Sequence, residues 1–235
     1  MAKQDDPDVV RAEYASETGL LTRISLYANA RGDNANDVVV EKLLDGPRGS
    51  VLEVGCGPGT LAKRLREDHD VSLYAIDLSE RMVDLARGLG VNARVGDVQA
   101  LPFADASFDC VIAAWMLYHV PDLDLGLREI RRVLRPGGRL IAVTNSERHL
   151  VELWQQVGRD RYELPFNAEN GQSILQRHFA SVERCDVEGT VTIVDRETAR
   201  EYIAASIKAP ELADRFPELE QPLHATSRNC VLIAR

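Results

Sequence analysis

The chain alternates two kinds of apolar pattern. Residues 51–54, 73–76, 93–95, 108–114 and 139–144 are compact apolar runs of strand length. Between them, residues 61–66, the stretch through Met82, Val83, Leu85 and Ala86, and residues 123–134 repeat apolar positions at helical spacing. Ser79 stands at the N-cap position of the second of these helices. Arg135-Pro136-Gly137-Gly138 breaks the third before the fifth strand. The run 108–114 is apolar apart from Asp109, as in a strand covered on both faces. Strand and helix in turn predict an α/β fold with a doubly wound, mostly parallel sheet.

The flanks follow the same rules less regularly. Residues 12–26 read as a helix carrying Tyr14, Leu20, Leu21 and Ile24, with Tyr27 just beyond, and 35–44 as a second helix ending at Gly46-Pro47. After the fifth strand, helices are expected at 148–161, 169–178 and 196–208, with a break at 163–166. A sixth strand is expected at 179–187, and a last strand at 227–235. Residues 190–194 alternate Thr-Val-Thr-Ile-Val, as an added strand or the start of a cap. Residues 209–222 are acidic and proline-interrupted, a loop with a short helix. The expected organisation is an N-terminal helical lid at 1–46 and a core at 47–235. An insertion at about 188–226 exceeds an ordinary hairpin loop and reads as a substrate wall.

The chemistry concentrates where the first strand ends. Val51-Leu52-Glu53-Val54 runs into Gly55-Cys56-Gly57-Pro58-Gly59 and then into a helix. Such a turn lets a ligand lie against bare main chain, at the edge where nucleotide-like ligands bind in open α/β sheets. The shape Gly-x-Gly-x-Gly is neither the dinucleotide fingerprint nor a P-loop, and an acid, Glu53, precedes it. The second strand ends in Asp77, placed to accept from both hydroxyls of a ribose. The third ends in Gly96-Asp97.

This series closely resembles the class I S-adenosylmethionine (SAM) dependent methyltransferases, in the methyltransferase type 11 and ubiquinone/menaquinone C-methyltransferase-like group. The match runs from about residue 48 to 145 with every element in order, including Leu101-Pro102-Phe103 before the fourth strand. The resemblance implies a seven-stranded Rossmann-like sheet whose last strand is antiparallel, with SAM as cofactor. It implies that the glycine turn lies under the methionine part of SAM and that Glu53 belongs to the same site. Asp97 would accept from the adenine amino group, and the main-chain N–H of Val98 would meet a ring nitrogen. The implied cofactor set is Glu53, Gly55, Cys56, Gly57, Gly59, Asp77, Leu78, Met82, Gly96, Asp97, Val98 and Ala114. Met82 and Met116 also fit simple core positions at helical spacing.

Composition narrows the partners. A net charge of −9 argues against broad phosphate-backbone binding. No apolar run is long enough to span a bilayer, and residues 1–11 are polar and acidic without a signal-peptide pattern, so a cytoplasmic protein is expected. Cys56, Cys110, Cys185 and Cys230 are far apart with no CxxC, which suits reduced structural thiols and gives no zinc or other metal site.

Methyl transfer is an in-line displacement at a sulfonium, and an enzyme mainly positions the acceptor and excludes water. A hydroxyl acceptor gains from a base, and His119, at the carboxyl edge after the fourth strand, is either that base or a structural histidine of the cofactor loop. Tyr14 and Tyr27 are either lid residues over the site or anchors that pack the helix on the sheet. Met116, Tyr118, Trp154 and Phe166 suit the wall of a pocket for a small, largely apolar methyl acceptor. Arg23 either meets the SAM carboxylate or, the favoured reading, is solvated, and His69, His149, His178 and His224 read as surface residues. No Asn-Pro-Pro-Tyr signature follows the fourth strand. Whether oxygen, nitrogen or carbon is methylated stays open, as does oligomeric state. The alternatives are a tRNA or protein methyltransferase, a non-catalytic SAM-binding protein, and a nicotinamide oxidoreductase, which the glycine spacing disfavours.

Overall fold

The computed structural model describes residues 7–14, 16–69, 71–206 and 209–235. Parts of the expected lid, 1–6 and 15, and the end of an expected helix, 207–208, lie outside the described residues. In chain order the elements are α1 (Pro7–Glu13), α2 (Thr18–Ser25), β1 (Arg31–Gly32), α3 (Ala35–Leu44), β2 (Ser50–Val54), α4 (Thr60–His69), β3 (Ser72–Asp77), α5 (Glu80–Gly88), β4 (Ala93–Val95), β5 (Phe108–Ala114), α6 (Leu123–Val133), β6 (Leu134–Asn145), α7 (Val151–Gln155), α8 (Gly171–Leu175), β7 (Val182–Ile193), α9 (Arg196–Ala204) and β8 (Leu223–Ala234).

The sheet runs β1-β7-β8-β6-β5-β2-β3-β4. β2, β3, β4, β5 and β6 pair in parallel, and β8 lies antiparallel between β6 and β7. The expected seven strands, mostly parallel with the last antiparallel, are present, and the two-residue β1 adds an eighth, antiparallel to β7. Side chains alternate across the pleat. Val51, Ala75, Cys110 and Ile112 therefore face α3, α4 and α5, while Leu52, Ile76, Val111 and Ala113 face α6 and α8.

The caps are local and legible. Ser79 accepts from the main-chain N–H of Met82 at 3.3 Å, Asp122 from Leu125 at 2.9 Å and Asp195 from Thr198 at 2.8 Å. Arg139 is less conventional. It is buried within β6, and its guanidinium donates to the carbonyl oxygens of Lys42, Leu43 and Pro47 at 3.1, 2.6 and 3.1 Å. It thus caps the carboxyl end of α3, where the helix dipole favours a cation.

Several expectations outside the sheet are corrected. The helix expected at 12–26 is two, α1 and α2, with Tyr14 outside both. The helices expected at 148–161 and 169–178 shrink to α7 and α8, and Leu150 enters α7 in the left-handed region (φ 54°). Residues 190–194 do not form a separate strand: β7 runs unbroken from Val182 to Ile193. β8 begins at Leu223, so the connection between β7 and β8 spans 194–222. β6 pairs with β8 only from Asn229 onward, while β7 pairs with all of β8. The far halves of β7 and β8 thus form a ribbon beyond β6, with β1 alongside β7 at Gly189 and Thr190. On it a third core gathers Leu26, Leu150, Trp154, Tyr162, Val191, Ile193, Tyr202 and Phe216, joining lid, ribbon and cap.

Candidate active site

At the carboxyl ends of β2, β3 and β5 the main chain turns tightly. Gly55, Gly57 and Gly59 all have positive φ, at 66°, 53° and 82°. Their roles differ. A Cβ on Gly59 would come within 2.7 Å of the Ala86 Cβ, so this glycine lets α5 approach and serves packing. A Cβ on Gly57 would meet nothing nearer than the Leu20 methyl of α2, at 3.7 Å, so the space above Gly57 is roofed by the lid.

Two carboxyls converge on this turn. Asp77 is half-buried and accepts from the main-chain N–H of Gly57 at 2.8 Å and of Ser79 at 2.9 Å. Burial raises its pKa, while those N–H groups oppose the rise. Glu53 is 2% exposed, and its Oε2 has no partner. Burial first, then the Asp77 charge, pushes its pKa up to about 8, against one hydrogen bond from the Ala62 main chain. An orphaned buried carboxyl beside a main-chain cradle is what a cofactor with a cationic amino-acid end requires, and the residues present fit SAM.

The remaining members of the predicted set are distributed unevenly. Leu78 is 37% exposed, a large apolar side chain presented just after Asp77. Asp97 caps a short 3₁₀ turn, accepting from Gln99 main chain at 2.8 Å and from its side chain at 3.2 Å. Gly96 and Ala114 are half-buried at the same edge, whereas Cys56 and Val98 are buried. Burial also raises the Cys56 thiol. Met82 is fully buried on α5.

The N-terminal segment meets the sheet beyond the end of β5. The Tyr14 hydroxyl lies 3.1 Å from His119 Nε2, their rings edge to face at 5.6 Å. Burial pushes the Tyr14 phenol up to about 12, so it stays protonated and donates, and a neutral His119 then carries its proton on Nδ1. The Tyr14 carbonyl accepts from Ser79 Oγ at 2.7 Å, and Arg81 grips Glu17 with two bonds at 2.6 and 2.9 Å. The Tyr118 ring is 4.6 Å from that of His119, and burial holds its phenol far above the ordinary value. Arg23, expected in solvent, instead binds Glu13 and the carbonyl of Ala205 and sits beside Tyr14 and Tyr118.

A second tyrosine–histidine pair closes the far end. Tyr27 lies 2.6 Å from Nε2 of His149, a buried histidine rather than a surface one, and also bonds Tyr202 of α9. Trp154 backs this pair, 1% exposed, its ring 4.7 Å from that of Tyr162. Phe166, expected in the pocket, is buried in the core on the α6/α8 side, and its carbonyl accepts from Thr144. The sequence reading did not single out Leu20, Gln99 or His149 for this region; only the apolar spacing of the N-terminal segment hinted at Leu20. Met116 lies against Gly55, in the space a Cβ there would fill. The other histidines are peripheral, His178 on Asp124 at 2.8 Å and His224 on Thr192 at 3.0 Å. Among the described residues no cluster of three His, Cys, Asp or Glu could hold a metal, and no helix is long and apolar enough to cross a membrane.

A family profile described as a methyltransferase domain matches residues 52–142. The chain is 33% identical over 163 residues to the O-methyltransferase rstn1 of Aspergillus nomiae, covering 60% of this chain and 72% of that protein. It is 44% identical over 115 residues to malonyl-[acyl-carrier protein] O-methyltransferase of Erwinia pyrifoliae, covering 46% and 43% of the two chains. It spans 43%, 40% and 36% of the lengths of three of the curated relatives it matches. Among solved structures, the [4+2]-cyclase SpnF aligns over 100% of this chain and 96% of its own at a TM-score of 0.64 and 23% identity, a likeness of fold. The glycine turn, its two carboxyls and these relatives make the chain a member of the class I SAM-dependent methyltransferases.

Proposed function

We propose that this chain transfers the methyl group of SAM to an oxygen of a small molecule, with His119 as the base. The observation that carries the reading is that one lid segment roofs both halves of the site: Leu20 stands over Gly57, and Tyr14 bonds His119. Bound SAM would supply a methyl carbon activated by its sulfonium. Glu53 and the turn 55–57 would hold its amino-acid end, Asp77 its ribose, Leu78 an adenine face, and Asp97 with the Val98 main chain the adenine edge.

His119 Nε2 receives the acceptor's proton, with the acceptor hydroxyl taking the position that the Tyr14 hydroxyl holds. Before the acceptor enters, Tyr14 donates to Nε2, so a neutral ring carries its proton on Nδ1, and the acceptor hydroxyl displaces the Tyr14 hydroxyl to reach that basic nitrogen. Closure of 13–27 over the turn excludes water. Oxygen is favoured over nitrogen or carbon because a neutral histidine held by a protonated phenol suits removal of a hydroxyl proton, and relatives at 33% and 44% identity are named O-methyltransferases. The acceptor is a small molecule with both apolar and hydrogen-bonding parts, because Tyr14, Tyr27, Tyr118 and His119 are half-buried at this end and Trp154 and Tyr202 are buried nearby.

The test is His119→Ala in an assay of methyl transfer from labelled SAM across hydroxylated small molecules. Turnover should fall about a hundredfold, with S-adenosylhomocysteine affinity held and the low-pH limb of the rate profile lost. Affinity falling in step with turnover would make His119 part of the cofactor pocket instead.

A further inference from the structure

One residue at the mouth of the site holds a conformation that its side chain disfavours. β5 ends at Ala114, and Trp115 follows with φ 53°, in the left-handed region. A bulky residue rarely sits there unless its surroundings force it, and such residues cluster at functional sites. The forcing groups are visible. The Trp115 main-chain N–H donates to the Val143 carbonyl at 2.9 Å, keeping the strand register up to this residue. Its indole N–H is shared between the side-chain oxygens of Asn145 and Asn229, each at 3.1 Å. These asparagines lie opposite one another on β6 and β8. Asn229 is in turn fixed by donating to Ser227 Oγ at 2.9 Å. An indole N–H has one proton and no other role, so two amide oxygens aimed at it form a clamp.

What the clamp sets comes next in the chain. The left-handed step lifts the main chain off the sheet and lays Met116 on Gly55. It also starts the short turn Leu117–His119, closed by the His119 N–H on the Met116 carbonyl at 2.9 Å. The cofactor turn is thus buttressed by residue 116, and the histidine ring is placed by residue 119, both from one strained step at 115.

We propose that Trp115 is a positioning residue: the Asn145–Asn229 clamp on its indole holds the left-handed backbone that seats Met116 against the cofactor turn and points His119 at Tyr14. The inference rests on the methyl-transfer reading for its purpose, though not for its geometry. It separates the indole's hold on the backbone from its bulk. Trp115→Ala and Trp115→Gly both remove the ring, and only glycine takes positive φ freely.

The experiment measures S-adenosylhomocysteine affinity by calorimetry and the His119 side-chain titration by NMR in wild type and both variants. We expect Trp115→Ala to weaken binding about tenfold or more and to shift the His119 titration, and Trp115→Gly to stay within about threefold with a near-native titration. Trp115→Phe, which keeps bulk but no N–H, should behave like Trp115→Ala and serves in its place if the alanine variant does not fold. Equal effects of alanine and glycine, or a glycine variant worse than phenylalanine, would overturn the proposal and leave Trp115 as packing. If the wild type does not bind S-adenosylhomocysteine, the cofactor reading fails by itself, and the His119 titrations still decide the role of Trp115.

Discussion

Glu53 is where the sequence said most and left most unsaid. An acid at the end of a buried strand, one residue before a glycine turn, is legible as a ligand-site group from its neighbours alone. Its protonation is not, because it depends on how α4 covers the carboxyl and on the Asp77 charge nearby. With the folded pKa raised from 4.5 to about 8, the folded chain holds a proton there that the unfolded chain releases. Between those two values stability therefore falls as pH rises, the reverse of a salt-bridged carboxylate. A cationic ligand end favours the ionised form, so binding near pH 7 should expel that proton. Calorimetry of S-adenosylhomocysteine in buffers of different ionisation enthalpy should show release of about one proton per site. Glu53→Gln should abolish the release and weaken binding by about 1.5–3 kcal/mol. An unchanged proton count in that variant would remove Glu53 from the cofactor site. Other site residues were hidden for a plainer reason: His149 and Arg23 are polar residues in unpatterned segments, and only the fold brings them against Tyr27 and Tyr14.

At the scale of elements, the parallel core was readable because each strand is a short apolar run between helices, and β2, β3 and β5 fall where those runs lie. The ribbon was misread because Glu188 and Gly189 interrupt the apolar run. The true signal was alternation, with Val187, Gly189, Val191 and Ile193 inward and Glu188 and Thr190 outward without a break. The N-terminal helix was read as one because its apolar spacing continues through Tyr14, which leaves the helix to meet His119. Arg139 was read only as the start of a strand. Its three carbonyl partners lie in the α3 end and the following turn, so it ties that end to β6. Arg139→Met keeps the buried stem but strips three acceptors of their donor. Thermal or urea unfolding should show a loss of about 3 kcal/mol or more, with S-adenosylhomocysteine affinity per folded molecule unchanged. A loss below about 1 kcal/mol would mean that water satisfies those carbonyls instead.

On the scale of the whole molecule, the N-terminal segment, the β7–β8 ribbon and the 194–222 connection share one apolar core. Residues 13–27 reach the cofactor turn through Leu20, the acceptor end through Tyr14, and the cap through Arg23 on Ala205 and Tyr27 on Tyr202. Leu26 is buried in the core built on the ribbon, and just beyond it β1 pairs with β7, with the Asp33 N–H on the Glu188 carbonyl at 3.2 Å. Because residues 18–27 and α9 share that core, we expect their ordering to be coupled. Hydrogen exchange on the protein with and without S-adenosylhomocysteine tests this. Amides of 18–27 and of 196–206 should gain protection together, alongside 55–59 and 77–79, while α6 and α8 on the opposite face stay unchanged. Tyr27→Phe should uncouple them, so that the ligand still protects the lid but not α9. Protection confined to the glycine turn, or lid protection that never reaches α9 in the wild type, would show that the cap is a fixed wall rather than a partner in closure.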